Sequence, residues 1–352
     1  MNMRLYLLLA AVLLLHSTCQ YPVDVSTLPD QKRFPVIDAE LTETYGKVRV
    51  TYTLDAVTPQ GAYLFPPPPP NTFAYVLDSQ GNRTDFSIDG SKNPNFHGVV
   101  GETYRLFVDL NGVQYESKPE TMPACPELDS LSVIYTVETS RAPEDFSYYG
   151  FDVYAQTNDI AGQKSYYQWD WIHYERAIGC SIEEENGQQV VYPCNPGDCW
   201  NISYNTRIVV QSDELRDGQP LAHKVVRVPF TKPPNKYYLR VEQRAITASV
   251  FSYLQSLEIQ TQNVGSVFDI PPQTRFSPNV YNVNDSEEKV LGVFSVFSTR
   301  KKVVYIDRSQ IIDGRTARIE SFTLPYTSLP LVSSPCVEGL YRTQIRPEEW
   351  HD

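Results

Sequence analysis

The sequence predicts a mainly β protein, an N-terminal immunoglobulin-like or transthyretin-like β-sandwich followed by a larger β-rich domain with one notable helix. Three observations carry this expectation. Apolar residues recur at every second position over short segments, turn residues punctuate those segments, and the composition holds 24 Tyr and 27 Pro but only 3 Met. Period-2 alternation is what a strand with one buried face requires, and aromatic side chains suit a pleated surface.

The amino end comes first. Met1 to Leu15 carries one positive charge, Arg4, followed by an apolar run from Leu5 to Leu15. That run is too short to cross a bilayer as a helix and fits the hydrophobic region of an export signal. His16-Ser17-Thr18-Cys19 follows, and small residues before a cysteine suit a lipoprotein signal peptidase. Residues 1–18 therefore read as a signal peptide, Cys19 as the lipidation site and residues 19–35 as a tether. Cleavage after Cys19 is the competing reading, because Ser17 and Cys19 also satisfy the small-x-small rule of an ordinary signal. Several acyl chains on a bacterial lipoprotein, at about 0.8 kcal/mol per buried CH₂, would hold it firmly on a membrane.

The first β unit is expected over residues 36–121. Val48, Val50, Tyr52 and Leu54 alternate with Lys47, Arg49, Thr51 and Thr53, and Phe73, Tyr75 and Leu77 continue the pattern. Tyr104, Leu106, Val108 and Leu110 lead through Asn111-Gly112 into Val113-Gln114-Tyr115, a hairpin with a two-residue turn. Pro66 to Pro70 cannot donate ladder hydrogen bonds and reads as a polyproline II excursion, a stiff surface loop with a docking role as the alternative.

Prolines and polar residues between Ser117 and Pro126 mark a boundary, and the second unit is expected over residues 122–352. Strands are expected at 131–137, 149–155, 165–174, 206–211, 224–229, 237–243, 290–298 and 302–306. The helix falls near 247–262, capped by Thr247, with Val250, Leu254 and Leu257 on one face and Gly265 beyond its end.

The candidate chemistry is sparse. Tyr167, Trp169, Trp171 and His173 share one face of the 165–174 strand, so Tyr167, Trp169 and Trp171 could stack on a sugar ring or flat ligand with Asp170 beside them. Burial in a core is the competing and favoured reading. No histidines stand at metal-ligand spacing, and no H-E-x-x-H, G-x-S-x-G, P-loop or dinucleotide fingerprint occurs, so no catalytic, metal or cofactor residues are assigned. Carboxylate pairs for hydrolysis are set by space and leave no sequence mark. Net charge is −12 with no basic stripe, which argues against a nucleic-acid partner. Outside the cytoplasm the cysteines should be oxidised where geometry permits. Asn186-Gly187 is a hairpin signal that sets Cys180 one step from register with Cys194, and a bulge would align them. Cys194 with Cys199 is the alternative pair.

Several segments together resemble the Bacteroidota outer-membrane lipoprotein family catalogued as domain of unknown function 4249. They are Gly101-Glu-Thr-Tyr-Arg-Leu106, Tyr115-Glu-Ser-Lys-Pro-Glu-Thr-Met-Pro123, Tyr149 to Asp159 leading into Tyr166-Tyr-Gln-Trp169, Gly265 to Pro272, and Asn282 to Asp285 through Val290 to Ser295. The resemblance implies a lipid-anchored outer-membrane protein, often encoded beside a TonB-dependent receptor, and it supplies no catalytic residues. The lipobox departs from the usual pattern at His16 and Thr18, and Gln20-Tyr-Pro-Val-Asp24 lacks the acidic run of surface-exposed lipoproteins, which leaves the membrane face undecided. The expected function is an accessory or binding protein for such a receptor, held to the outer membrane by its lipid, with its ligand unknown. The alternatives are an envelope hydrolase acting on glycans or peptides, and a structural or adhesive module.

Overall fold

The computed structural model describes residues 33–53, 67–139, 149–176, 179–185, 188–195, 199–214, 216–229, 236–262, 276–307 and 338–351. Residues 1–18, where a signal peptide is expected, and Cys19, Pro66 and Cys336 lie outside them. The protein is mainly β, with strands numbered here in chain order. Among the described residues no helix is long and apolar enough to cross a membrane.

The first sandwich packs two sheets. One holds β1 (Pro35–Leu41), β2 (Gly46–Tyr52), β5 (Asp89–Asn93) and β19 (Phe294–Val296) in the order β19-β1-β2-β5. The other holds β3 (Thr72–Leu77), β4 (Arg83–Phe86), β6 (Thr103–Leu110), β7 (Val113–Ser117) and β18 (Val280–Asn282) in the order β18-β7-β6-β3-β4, with β8 (Glu120–Thr121) also paired to β6. Alternation decides which side faces in. Ile37, Ala39 and Leu41 of β1, Val48 and Val50 of β2, and Tyr104, Leu106, Val108 and Leu110 of β6 fill a common core. The Asn111-Gly112 turn has φ of +55° and +84°, as a two-residue hairpin turn between Leu110 and Val113 requires. Pro67 to Pro70 lie outside any strand.

Two features depart from expectation. β3 buries Ala74 and Val76, and its large residues point outward: Phe73 is 52% exposed and Tyr75 stacks on Phe107 at 5.0 Å, with the Arg83 guanidinium 3.8 Å from the Tyr75 ring centre. An outer aromatic stack capped by a cation makes that face apolar enough to mimic a core face in the sequence. Second, β18 and β19 come from residues that the sequence reading assigned to the second unit. β19 pairs with β1 in parallel, Ala39 opposite Phe294, and β18 pairs with β7. Val280, Val290, Phe294 and Val296 belong to the first core.

The second sandwich sets a three-stranded sheet, β16-β10-β9, against a six-stranded one, β20-β17-β11-β14-β21 with β15 also on β11. The three strands are β9 (Leu128–Val137), β10 (Tyr149–Asn158) and β16 (Pro220–Pro229). The six are β11 (Tyr166–Arg176), β14 (Trp200–Tyr204), β15 (Val210–Ser212), β17 (Lys236–Ile246), β20 (Ser298–Asp307) and β21 (Arg342–Thr343). A separate hairpin joins β12 (Gly179–Glu185) to β13 (Gln188–Asn195). Phe151, Val153, Tyr167, Trp169, Leu221, Val228, Leu239 and Val241 form the core between the sheets.

Helix α1 (Ala248–Gln262) follows β17, and Thr247 sits at its cap position, its carbonyl accepting the Phe251 N–H at 2.9 Å. Val250 and Phe251 are buried with Ile246, Val210 and Phe297, and Leu254 packs on them. The sandwiches are joined by buried polar groups. Glu120 accepts from Ser249 Oγ at 2.6 Å and from Asn279 Nδ2 at 2.7 Å, while the Asn279 side chain also bonds the Phe294 backbone in both directions.

Candidate functional site

β11 is the strand around which a site forms, because one of its edges is divided among three partners. β15 pairs with Tyr166 to Gln168, and β14 pairs with Ile172 to Arg176. Between them the Asn205–Val209 loop takes over: the Trp169 N–H donates to the Val209 carbonyl, and the Asn205 N–H to the Trp171 carbonyl, both at 3.0 Å. The sequence reading placed a strand from 206 to 211, but β15 begins only at Val210. Asn205 explains the difference. Its side chain accepts the Arg207 N–H at 2.9 Å and donates to the Arg207 carbonyl at 2.8 Å, holding the chain in a turn that competes with a ladder.

This loop forms one wall of a groove of about 940 Å³. Trp171 of β11, His223 to Arg227 of β16, Glu138 beyond β9, and Glu258 and Thr261 at the end of α1 complete it. The size is that of a small-molecule or short-oligomer site. Its lining mixes signs of charge around one half-buried indole, and the described residues that line it include no serine or cysteine.

The three aromatic residues singled out in the sequence divide here. Tyr167 and Trp169 are buried, at 0% and 1% exposure, so neither can stack on a ligand, which corrects that possibility for both. Tyr167 donates to Asp159 Oδ1 at 2.5 Å, and Trp169 Nε1 donates to Gln243 Oε1 at 3.2 Å. Trp171, two residues along on the same face, reaches the groove. His223 connects the two environments, lining the groove while its ring lies parallel to Trp169 at 4.6 Å. Burial lowers the His223 pKa, so the ring is neutral near pH 7. Asp170 is directed elsewhere, pairing with Arg244 at 3.1 Å.

The cationic side of the groove is fixed from behind. Asp152 on β10 receives Arg227 Nη1 and Lys224 Nζ, each at 2.9 Å, and the Thr136 hydroxyl at 2.9 Å. Burial opposes ionisation of Asp152, but these three bonds outweigh it and hold the carboxyl below its usual range. Arg227 also lies 3.8 Å from Glu138. Across the groove, burial raises the Glu258 carboxyl. Sequence reasoning missed His223, Lys224, Arg227 and Glu258, which read there as ordinary strand and helix residues. Only the topology gathers them.

A second cavity, of about 280 Å³, lies where the sandwiches meet. Asp38, Glu40, Lys47 and Arg49 line it from the first, Gln168 and Arg244 from the second. Arg244 pairs with Glu242 at 2.8 Å as well as with Asp170, and its guanidinium lies 5.1 Å from the Phe297 ring centre. This is an internal charge network joining the units.

Cys125 is buried and free, and burial pushes its thiol up to about 11, leaving an unreactive packing residue. In the β12–β13 hairpin the register shifts between Gly179 and Ser181, from Gly179 opposite Asn195 to Ser181 opposite Tyr192. That is the bulge expected to align Cys180 with Cys194, although both side chains lie outside the described residues. Cys199 is buried beside Trp200.

No curated protein matches this chain. The sequence profile of one family does, over residues 20–303, and the chain accordingly belongs to the family described as Domain of unknown function (DUF4249).

Proposed function

We propose that the protein is a lipid-anchored binding or accessory protein of the cell envelope, tethered through Cys19 to the outer membrane of a member of the Bacteroidota. The Trp171 groove is its contact surface for a ligand or for a TonB-dependent receptor that takes the ligand up. The observation that carries this reading is the form of the groove. An indole, two basic residues anchored by Asp152, and a loop bonded to a strand edge present fixed contacts around an open volume of about 940 Å³. Such a surface recognises polar, partly flat ligands through stacking and directional hydrogen bonds. Pull-down of the full chain from detergent-solubilised outer membranes should recover a receptor barrel, and Trp171→Ala should weaken that capture or the uptake it serves. Recovery of the protein alone would end the partner reading.

One observation favours a second reading, an envelope hydrolase for glycans or peptides. Glu258, raised by burial, and Glu138, held beside Arg227, line the same groove, and glycoside cleavage needs at least one carboxylic acid and one carboxylate in a common site. Turnover of envelope glycans or peptides by the purified chain, abolished by Glu258→Gln, would replace the first reading.

For the cysteines, buried Cys199 stands just before β14, four residues after the end of the β12–β13 hairpin that carries Cys180 and Cys194, which supports a disulfide from it to that hairpin. Non-reducing peptide mapping should find Cys199 linked to Cys194 and not carboxymethylated.

A further inference from the structure

Two connections meet at one end of the second sandwich, 159–165 between β10 and β11 and 213–219 between β15 and β16. They bring together Asp159, Asp213 and Asp217, one carboxylate oxygen from each lying within 4.8 Å of the other two. Asp159 and Asp213 are buried, and Asp217 is exposed at the mouth. Among the described residues no lysine or arginine pairs with any of the three, and the adjacent Lys164 bonds Glu214 at 3.2 Å instead.

Neutral donors hold the carboxylates in place but do not use them up. Asp159 accepts from the Tyr167 hydroxyl and from the Gly218 N–H at 2.9 Å. Asp213 Oδ2 accepts the Ser165 N–H at 2.9 Å, and Asp217 Oδ1 the Gly162 N–H at 2.8 Å. Asp213 is only 1% exposed, yet no N–H or O–H group donates to its Oδ1, and the Asp159 carboxyl lies within hydrogen-bond reach of its side chain. The Ser165 hydroxyl, on a residue 9% exposed and bonded to Asp213 through its backbone, makes no well-formed hydrogen bond and has the Tyr167 hydroxyl as its neighbour. Two buried carboxyls within reach of each other need a positive charge between them, a shared proton or a cation. Burial first, and then the charge of Asp159, its hydrogen bond and the charge of Asp217, push the Asp213 carboxyl up against the Ser165 N–H bond.

We propose that this trio is a calcium site, with Asp159, Asp213 and Asp217 as carboxylate ligands and the cation clamping the two connections together. Calcium takes oxygen ligands at 2.3–2.6 Å, so atoms around one ion lie at most about 5 Å apart, as these do. Three hard oxygens without histidine or cysteine disfavour zinc. An arrangement open on the Asp217 side suits calcium's flexible coordination better than the strict octahedron of magnesium, with water and backbone carbonyls completing the shell. The ion's place is structural. It neutralises three acids at the end of β11, the strand that carries both Trp169 and Trp171.

The test uses the full chain stripped with chelator, then melted with calcium, with magnesium or with neither, while calcium binding is followed by calorimetry. Calcium at about 0.1–1 mM, the range of extracellular calcium modules, should raise the melting temperature by several degrees, and magnesium should do less. Asp217→Asn alters an exposed residue that can still accept the Gly162 N–H, so the variant folds and should lose at least tenfold in calcium affinity. Asp213→Asn should do the same. Absence of binding heat at roughly ten times that concentration range, an equal response to magnesium, or an undiminished calcium response in Asp217→Asn overturns the assignment.

Discussion

The two sandwiches are similar in architecture and opposite in what they place at the centre. The first is closed by aliphatic side chains and a few phenylalanines, and its tyrosines bond at the margin: Tyr104 Oη accepts the Val99 N–H and Tyr115 Oη donates to Glu288, both at 2.9 Å. The second threads a polar chain through its core. Gln243, fully buried, accepts from Trp169 Nε1 and donates to the Pro126 carbonyl at 3.1 Å and to Thr157 Oγ1 at 3.3 Å, while Thr157 donates to the Glu127 carbonyl at 2.7 Å. Aliphatic packing tolerates many arrangements, whereas a buried hydrogen-bonded chain permits few. The first sandwich is therefore a support, and the second holds β11 in one position, with the groove on its edge.

The sharpest way to break this comparison is Trp169→Ala. Loss of a fully buried indole should cost about 3–5 kcal/mol in chemical denaturation, whereas Trp171→Ala should cost far less and act on ligand or partner binding. Equal losses from the two would erase the distinction between core and groove wall.

Gly292→Ala probes the closure of the first sandwich. Gly292 has φ of +90°, and an added Cβ would collide with the Ile37 carbonyl oxygen. Backbone strain of about 1–3 kcal/mol plus displacement of β19 from β1 should lower stability, and a neutral result would mean that the 290–296 segment is dispensable there.

Gln243→Met keeps the volume and removes the polar centre. It leaves the Trp169 Nε1–H without a partner, at a cost of about 1–3 kcal/mol. If the variant is as stable as the parent, the polar chain does not set the second core apart.

The smallest effect is electrostatic. His223 is half-buried, and desolvation lowers its pKa from the ordinary imidazole value, so over that interval the unfolded chain binds a proton that the folded one refuses. Its contribution is complete above pH 6.5 and is lost as pH falls through the folded value. Lys224, Arg227, Glu138 and Glu258 line the same groove, so the comparison must be with His223→Gln, which should show a shallower loss of stability between pH 7 and 5. Parallel curves would refute the burial of a neutral ring.

What the sequence made legible follows the same division. Strands with one aliphatic face, such as β2 and β6, and the hairpin at Asn111-Gly112 declare themselves locally, because alternation and positive φ are properties of neighbouring residues. β3 was read with its faces reversed, because its outward aromatics exceed Ala74 and Val76 in hydrophobicity. The parallel partner of β1 is invisible to any local pattern, since Ala39 and Phe294 are joined only by the fold. The groove was half legible. An aromatic run pointed to β11, but nothing in that run separates Trp171 from Trp169. The acidic trio was not legible at all, because Asp159 sits in one turn and Asp213 and Asp217 in another, and turns are ordinary places for aspartate.

The pairing of β1 with β19 has a consequence for how the molecule comes into being. A chain delivered amino end first exposes β1 with one side open for as long as the next 250 or so residues take to arrive. An open strand edge invites pairing with other chains, and contacts between distant parts of the sequence form slowly. Most of the second sandwich is thus threaded before the first can close, with β20 and β21 joining it afterwards, and a fragment ending before Phe294 would leave an unfinished sheet in both, not a smaller domain.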